Sequence, residues 1–203
     1  PRFESWRAHH LNLRVFLKII YKIFFIFLIL ITGVKSKMLF LEDLKNPESI
    51  IEGQNWYFVT DGVMGGVSEG SAKLDIIEKT KCHRMTGNVS TKNNGGFIQI
   101  RTMLNPKINI NDYEGVFALV YGNNKKYSFH IRTGTTLAPW QYYSYKFLST
   151  NKWTKIKAPF LEFKKSNFYQ PKNLSNQKMK SIGLVAGFED FKADICLAKI
   201  GLY

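Results

Sequence analysis

The sequence predicts an all-β fold, a single jelly-roll β-sandwich over residues 38–203, and three observations carry that prediction. Short runs rich in aromatic and β-branched residues recur about nine times, separated by turns of Gly, Asn, Pro and Lys. After residue 37 no sustained 3.6-residue apolar period appears, so the crossover helices that a parallel sheet requires are missing. Hydrophobic residues make up 45% of the chain and charged residues 22%, enough to bury a core and unlike a disordered polymer.

In chain order, the first element is a leader. Arg14, Lys18 and Lys22 precede an uncharged apolar run of 12 residues, Ile23 to Val34. That is shorter than the roughly 18 residues of a confident transmembrane helix and matches a signal-peptide core, with cleavage expected after Ser36. The competing reading is an uncleaved membrane anchor, lengthened by Ile19 to Tyr21 if Lys18 and Lys22 snorkel. Under both readings residues 1–37 contact a membrane, and the domain faces the periplasm or cell exterior. The first residue is Pro1 and the first methionine is Met38; translation from Met38 would leave a cytoplasmic protein without the export signal.

The leader also explains part of the net charge of +14. Seven basic residues and one acidic residue fall within residues 1–37, leaving 22 basic and 14 acidic residues for the rest. Those lysines are dispersed, the tightest pairs being Lys125-Lys126 and Lys164-Lys165. No basic helix, RNA-binding aromatic motif or zinc-finger spacing accompanies them, so nucleic acid is not expected as a partner.

The next element runs from Asn55 to Gly70, N-W-Y-F-V-T-D-G-V-M-G-G-V-S-E-G. Its glycines fit neither G-x-G-x-x-G nor the Walker pattern, and no helix follows to receive a phosphate. A turn is favoured over a ligand site. Asp61 and Ser68 are expected to bond backbone amides, Gly62, Gly65 and Gly66 to let the chain turn, and Val63 and Met64 to plug the core.

Nine strands follow, at about residues 72–77, 82–89, 96–103, 115–121, 126–132, 142–148, 153–158, 181–186 and 193–200. The clearest hairpin is V-F-A-L-V-Y-G-N-N-K-K-Y-S-F-H-I-R. Gly122-Asn123-Asn124 tolerates positive φ, and Phe129 and Ile131 alternate with Ser128, His130 and Arg132.

The stretch from Arg132 to Tyr143 leads through a polar loop into Trp140, Gln141, Tyr142 and Tyr143. One reading packs Trp140 across the sandwich end. The other uses Arg132, Trp140, Tyr142 and Tyr143 as a sugar or peptide platform, with the loops of Asp61 and Asn94 meeting it at one end of the sandwich. Cys82 and Cys196 are the only cysteines; they form a disulfide in an exported protein and remain two small buried side chains in the cytoplasm, with burial slightly favoured. His83 and His130 lack ligand-spaced partners, so neither a metal nor a cofactor is expected. No nucleophile elbow or comparable catalytic signature is present.

The motif W-Y-F-V-T-D-G-V-M-G-G-V-S-E-G closely resembles the signature of the complex I intermediate-associated protein 30 family. The resemblance continues in order through Gly87-Asn88-Val89-Ser90, Asn93-Asn94-Gly95-Gly96-Phe97, Gly115 to Tyr121, Trp140 to Phe147 and Ile195 to Ile200. It spans about residues 38–203. It implies a galactose-binding-like β-sandwich without established catalysis, whose mitochondrial members assist assembly of respiratory complex I. Two features depart from the family: the Gly187-Phe188-Glu189-Asp190-Phe191 turn, and a leader that is apolar rather than a mitochondrial transit peptide. The expected function is therefore a non-enzymatic interaction protein for a membrane-associated, respiratory-type complex. The alternative is a carbohydrate-binding module. Asp61, Gly65, Gly66, Ser68, Asn94, Arg132, Trp140 and Tyr142 are the candidate ligand-binding residues.

Overall fold

The computed structural model describes residues 18, 20–22, 37–46 and 55–203. The chain divides into two compact units, Pro1–Ser36 and Lys37–Tyr203. The expected signal-peptide core and cleavage position lie outside the described residues. Among those that are described, no helix is long and apolar enough to cross a membrane.

Residues 37–46 and 55–203 form two antiparallel six-stranded sheets, a jelly-roll sandwich. The first sheet runs β3 (Glu69–Ile77), β4 (Thr80–Val89), β12 (Phe191–Leu202), β6 (Gly115–Tyr121), β9 (Thr154–Pro159), and β1 (Leu39–Asp43) also pairs with β12. The second runs β10 (Lys164–Lys165), β8 (Tyr143–Leu148), β7 (Lys126–Thr133), β11 (Lys178–Gly187), β5 (Phe97–Asn109), β2 (Trp56–Thr60).

Period-two alternation sorts the faces. On β7, Phe129 and Ile131 are fully buried in the core while His130 and Arg132 face outward; on β5, Ile98 and Ile100 are buried and Gln99 and Arg101 face outward. Each such apolar side chain contributes about 1.5–3 kcal/mol on burial. The hairpin expected between β6 and β7 is present as a chain turn with Asn124 at φ 60°, but the two strands belong to different sheets. Hydrogen-bond partners come instead from distant segments, because β12 and β11 are the long apolar strands able to occupy central positions.

Three strands were not expected. β1 is only five residues long and pairs with β12 at the far end of the chain. β2 carries the aromatic run Trp56-Tyr57-Phe58 and pairs with β5. β10 has two residues. Glu42 of β1 joins the sheets, accepting a hydrogen bond from Trp56 Nε1 at 3.0 Å and lying 2.9 Å from His83 Nε2.

The two cysteines form a disulfide, which replaces the slightly favoured reading of two unbridged buried side chains. Cys82 on β4 and Cys196 on the neighbouring β12 have Cα atoms 5.6 Å apart across a sequence separation of 114. They sit in a satellite cluster with Ala198, beside Tyr121 and Trp153. Closing so long a loop restricts the unfolded chain by about 4–5 kcal/mol on the entropy model.

Candidate functional site

The eight candidate residues separate into two structures. Four form a clasp around a buried carboxylate. Residues Asp61–Met64 make a 3₁₀ turn that starts from Thr60, whose side chain accepts from Gly62 N. The Asp61 side chain is fully buried. Its Oδ1 accepts from Ser68 N at 2.9 Å, and its Oδ2 accepts from Ser68 Oγ at 2.5 Å, Gly96 N at 2.5 Å and Phe97 N at 3.3 Å. Ser68 Oγ in turn accepts from Ser90 N at 3.0 Å. Burial alone would raise the Asp61 pKa; the Ser68 hydroxyl and the three amides outweigh it and hold the carboxyl below its ordinary range.

The carboxylate also dictates the glycines. A Cβ on Gly66 would lie 2.3 Å from Asp61 Cγ, and one on Gly95 would lie 2.4 Å from Asp61 Oδ2. Gly65 takes φ 86° at the end of the turn. The loop is glycine-rich so that backbone can wrap a carboxylate. Val63 and Met64 do not plug the core: they are 74% and 51% exposed. The buried Asp61 occupies the inward position of the turn, so the two apolar residues are carried to the opposite side.

The other four candidates, Asn94, Arg132, Trp140 and Tyr142, come together in a cleft of about 590 Å³. It lies on the outer face of the second sheet rather than at the end of the sandwich. Ser181, Gly183 and Val185 of β11 form its floor, Gln99 and Arg101 of β5 one flank, and His130 and Arg132 of β7 the other. Val63, Met64, Trp140 and Phe188 stand around the rim.

Trp140 is 60% exposed, so it does not pack across the sandwich end. Its loop is held from below. Arg132 Nη2 donates to Ala138 O at 2.9 Å, Gln141 Oε1 accepts from the amides of Leu137 and Ala138, and Ser166 Oγ donates to Trp140 O at 2.9 Å. Tyr142 stacks on His130 with ring centroids 3.9 Å apart and planes 9° apart. Tyr143 is not on the rim; it is fully buried and donates from its hydroxyl to Pro171 O, because the strand alternation turns it inward beside Tyr142.

The electrostatics of the cleft are one-sided. Among the described residues no Asp or Glu lines it. Burial under Tyr142, and then the charge of Lys146, push the His130 pKa down to about 3, so its ring is neutral at pH 7. Arg132 Nε is buried with no hydrogen-bond partner among the described residues. Burial, then repulsion from Arg101, lower the Arg132 pKa. Phe188 holds φ 71°, a left-handed conformation that costs a bulky residue about 1–3 kcal/mol. Gln99, Arg101, His130 and Phe188 were not among the expected site residues. The Phe97-Ile98-Gln99-Ile100-Arg101 alternation marks the outward pair, but nothing in it says which strand lies alongside.

A two-sheet jelly roll with an open, aromatic-rimmed cleft on one sheet has the fold of carbohydrate-binding modules. Solved structures share it. The family 11 carbohydrate-binding module of the cellulosomal cellulase Lic26A-Cel5E of Clostridium thermocellum is similar at TM-score 0.63 and 15% identity, covering 83% of this chain and 95% of that one. The Clostridium thermocellum family 11 module in complex with a β-1,3-1,4-mixed-linked tetrasaccharide gives 0.61 and 13%, covering 83% and 96%. A family 30 carbohydrate binding module gives 0.52 and 10%, covering 82% and 98%. At these identities the likeness is one of fold. Among curated proteins no sequence matches. The family model of Complex I intermediate-associated protein 30 (CIA30) matches residues 43–197, and the chain belongs to that family.

Proposed function

We propose that this protein is a non-enzymatic binding protein and that the cleft over β11 holds a carbohydrate. One observation carries the reading: the cleft combines an accessible aromatic face with cationic side chains that have no carboxylate partner among the described residues. Trp140 is 60% exposed, and Arg101 and Arg132 line the cleft beside it. Sugars present apolar C–H faces to such rings and hydroxyls to such polar groups. The tetrasaccharide complex formed by a module of the same fold supports the ligand class. The two groups nearest to acid–base chemistry are committed elsewhere, His130 as a neutral stacked ring and Asp61 as a saturated carboxylate.

The family match favours a second reading, assistance to assembly of a membrane-associated, respiratory-type complex, with the cleft contacting a partner protein. In both readings the domain is exported, which the Cys82–Cys196 disulfide supports, since such bonds persist in oxidising compartments.

A glycan array read beside affinity capture from the native host separates the two, using wild type and Trp140→Ala. Saturable glycan binding that is lost in Trp140→Ala is the expected result. Absence of glycan binding, with a reproducible membrane-complex partner indifferent to Trp140, would overturn it in favour of assembly.

A further inference from the structure

We propose that the ligand of the cleft is an acidic saccharide, one whose carboxylate or sulfate oxygens sit between Arg101 and Arg132. The inference rests on the carbohydrate reading above and names the class of sugar.

The register places the two arginines on either side of one strand. Arg101 on β5 lies opposite Gly183 of β11, and Arg132 on β7 lies opposite Ser181 of the same strand. Strands spaced about 4.8 Å apart set the two backbones roughly 10 Å apart, within reach of converging guanidinium groups. Between them the floor is low. Gly183 has no side chain, and a Cβ there would press on Arg101 Cβ and Gln99 Oε1 at 3.2 Å each.

Two cations face this floor without a counter-ion. Among the described residues no hydrogen bond or ion pair ties the Arg101 side chain, and no carboxylate lines the cleft. Two other half-buried cations of the domain are matched. Arg84 bridges Asp75 and Asp194, at 3.2 and 2.8 Å, and Lys199 pairs with Asp43. Arg132 spends Nη2 on the loop carbonyls of Thr136 and Ala138, yet its Nε–H remains buried and unused. The lowered Arg132 pKa, from burial and then Arg101, records the same unrelieved charge. Lys146, 5.8 Å from the Phe188 ring, adds a further positive charge at the rim. An anionic oxygen placed here would offset the repulsion between Arg101 and Arg132, while Trp140 and Tyr142 provide the faces on which a sugar ring stacks.

The test uses calorimetric titration with three short oligosaccharides: an oligogalacturonate, a sulfated oligosaccharide and a neutral mixed-linked β-glucan. Wild type, Arg101→Gln and Lys126→Gln are compared; Lys126 is at the far end of β7, so its variant controls for net charge. At least one acidic oligosaccharide is expected to bind tenfold or more tighter than the neutral one, and the arm that binds identifies the acid group. Arg101→Gln is expected to lose about tenfold in affinity, the loss of one charge-assisted hydrogen bond, with Lys126→Gln unchanged. In wild type the Arg132 Nε–H resonance should shift on saturation, a readout independent of any variant. Equal affinity for the neutral glucan, equal losses in both variants or an unmoved Arg132 resonance would overturn the proposal. Neutral binding alone, lost in Trp140→Ala, would overturn the acidic class and leave the carbohydrate reading intact. No binding of any saccharide would remove both.

Discussion

The clasp around Asp61 and the cleft over β11 lie side by side, and they treat polar groups in opposite ways. In the clasp every oxygen of a buried carboxylate is answered, by two amides and a hydroxyl within 2.9 Å and a third amide at 3.3 Å. In the cleft Arg101 and Arg132 have no carboxylate partner among the described residues, and a tryptophan is left in solvent. Saturated polar groups hold a fold together, whereas unsaturated ones in a concave site are positioned for something that arrives from outside. The conspicuous sequence motif therefore marks the structural region, and the less conspicuous β5 and β7 positions mark the flanks of the cleft proposed to bind ligand.

The largest effect that can test this contrast is loss of the clasp carboxylate. Asp61→Ala strands buried amides at Ser68 and Gly96, each costing about 1–3 kcal/mol, so the variant is expected to lose about 2–5 kcal/mol in urea unfolding. A variant that unfolds like wild type would move Asp61 from structure to contact surface.

Acid should sharpen the comparison next. His130 has a folded pKa of about 3, below the ordinary histidine value near 6.5, so the unfolded chain binds the extra proton first. Its contribution to stability is present in full above about pH 6.5 and is lost as pH falls toward 3. Asp61, with its pKa lowered, adds a loss at the acidic end of the same window. Melting temperatures across pH 7 to 4 should fall for wild type and fall less steeply for His130→Asn; parallel profiles would place His130 in a solvated setting.

Much of the fold was legible because its signals are local. Phe129 and Ile131 alternate with polar neighbours, Asn124 accepts a positive φ, and Asp61 and Ser68 are residue types that seek backbone amides. What depends on distant segments was not legible. β1 finds its partner at the other end of the chain, and the approach of Cys82 to Cys196 exists only once β4 and β12 are paired. Val63 and Met64 misled because apolarity predicts burial on average, while here a carboxylate holds the inward position. In the cleft, Arg132, Trp140 and Tyr142 were visible as an aromatic and cationic cluster, but Arg101 joins them only through β11.

A smaller stability effect belongs to Phe188. Glycine there removes a strained φ of 71° and adds chain entropy to the unfolded state, so Phe188→Gly is expected to stay within about 1 kcal/mol of wild type. Saccharide affinity should fall all the same, because the rim loses an aromatic face beside Tyr142 and His130. A large loss of stability with unchanged binding would make Phe188 a packing residue.

The contrast between clasp and cleft is tested most directly at Trp140, by equilibrium urea unfolding of Trp140→Ala. An exposed rim residue with a purely binding role predicts an unfolding free energy within about 0.5 kcal/mol of wild type. A loss comparable to that of Asp61→Ala would contradict the account, because it would show the cleft rim to be part of what holds the sandwich together.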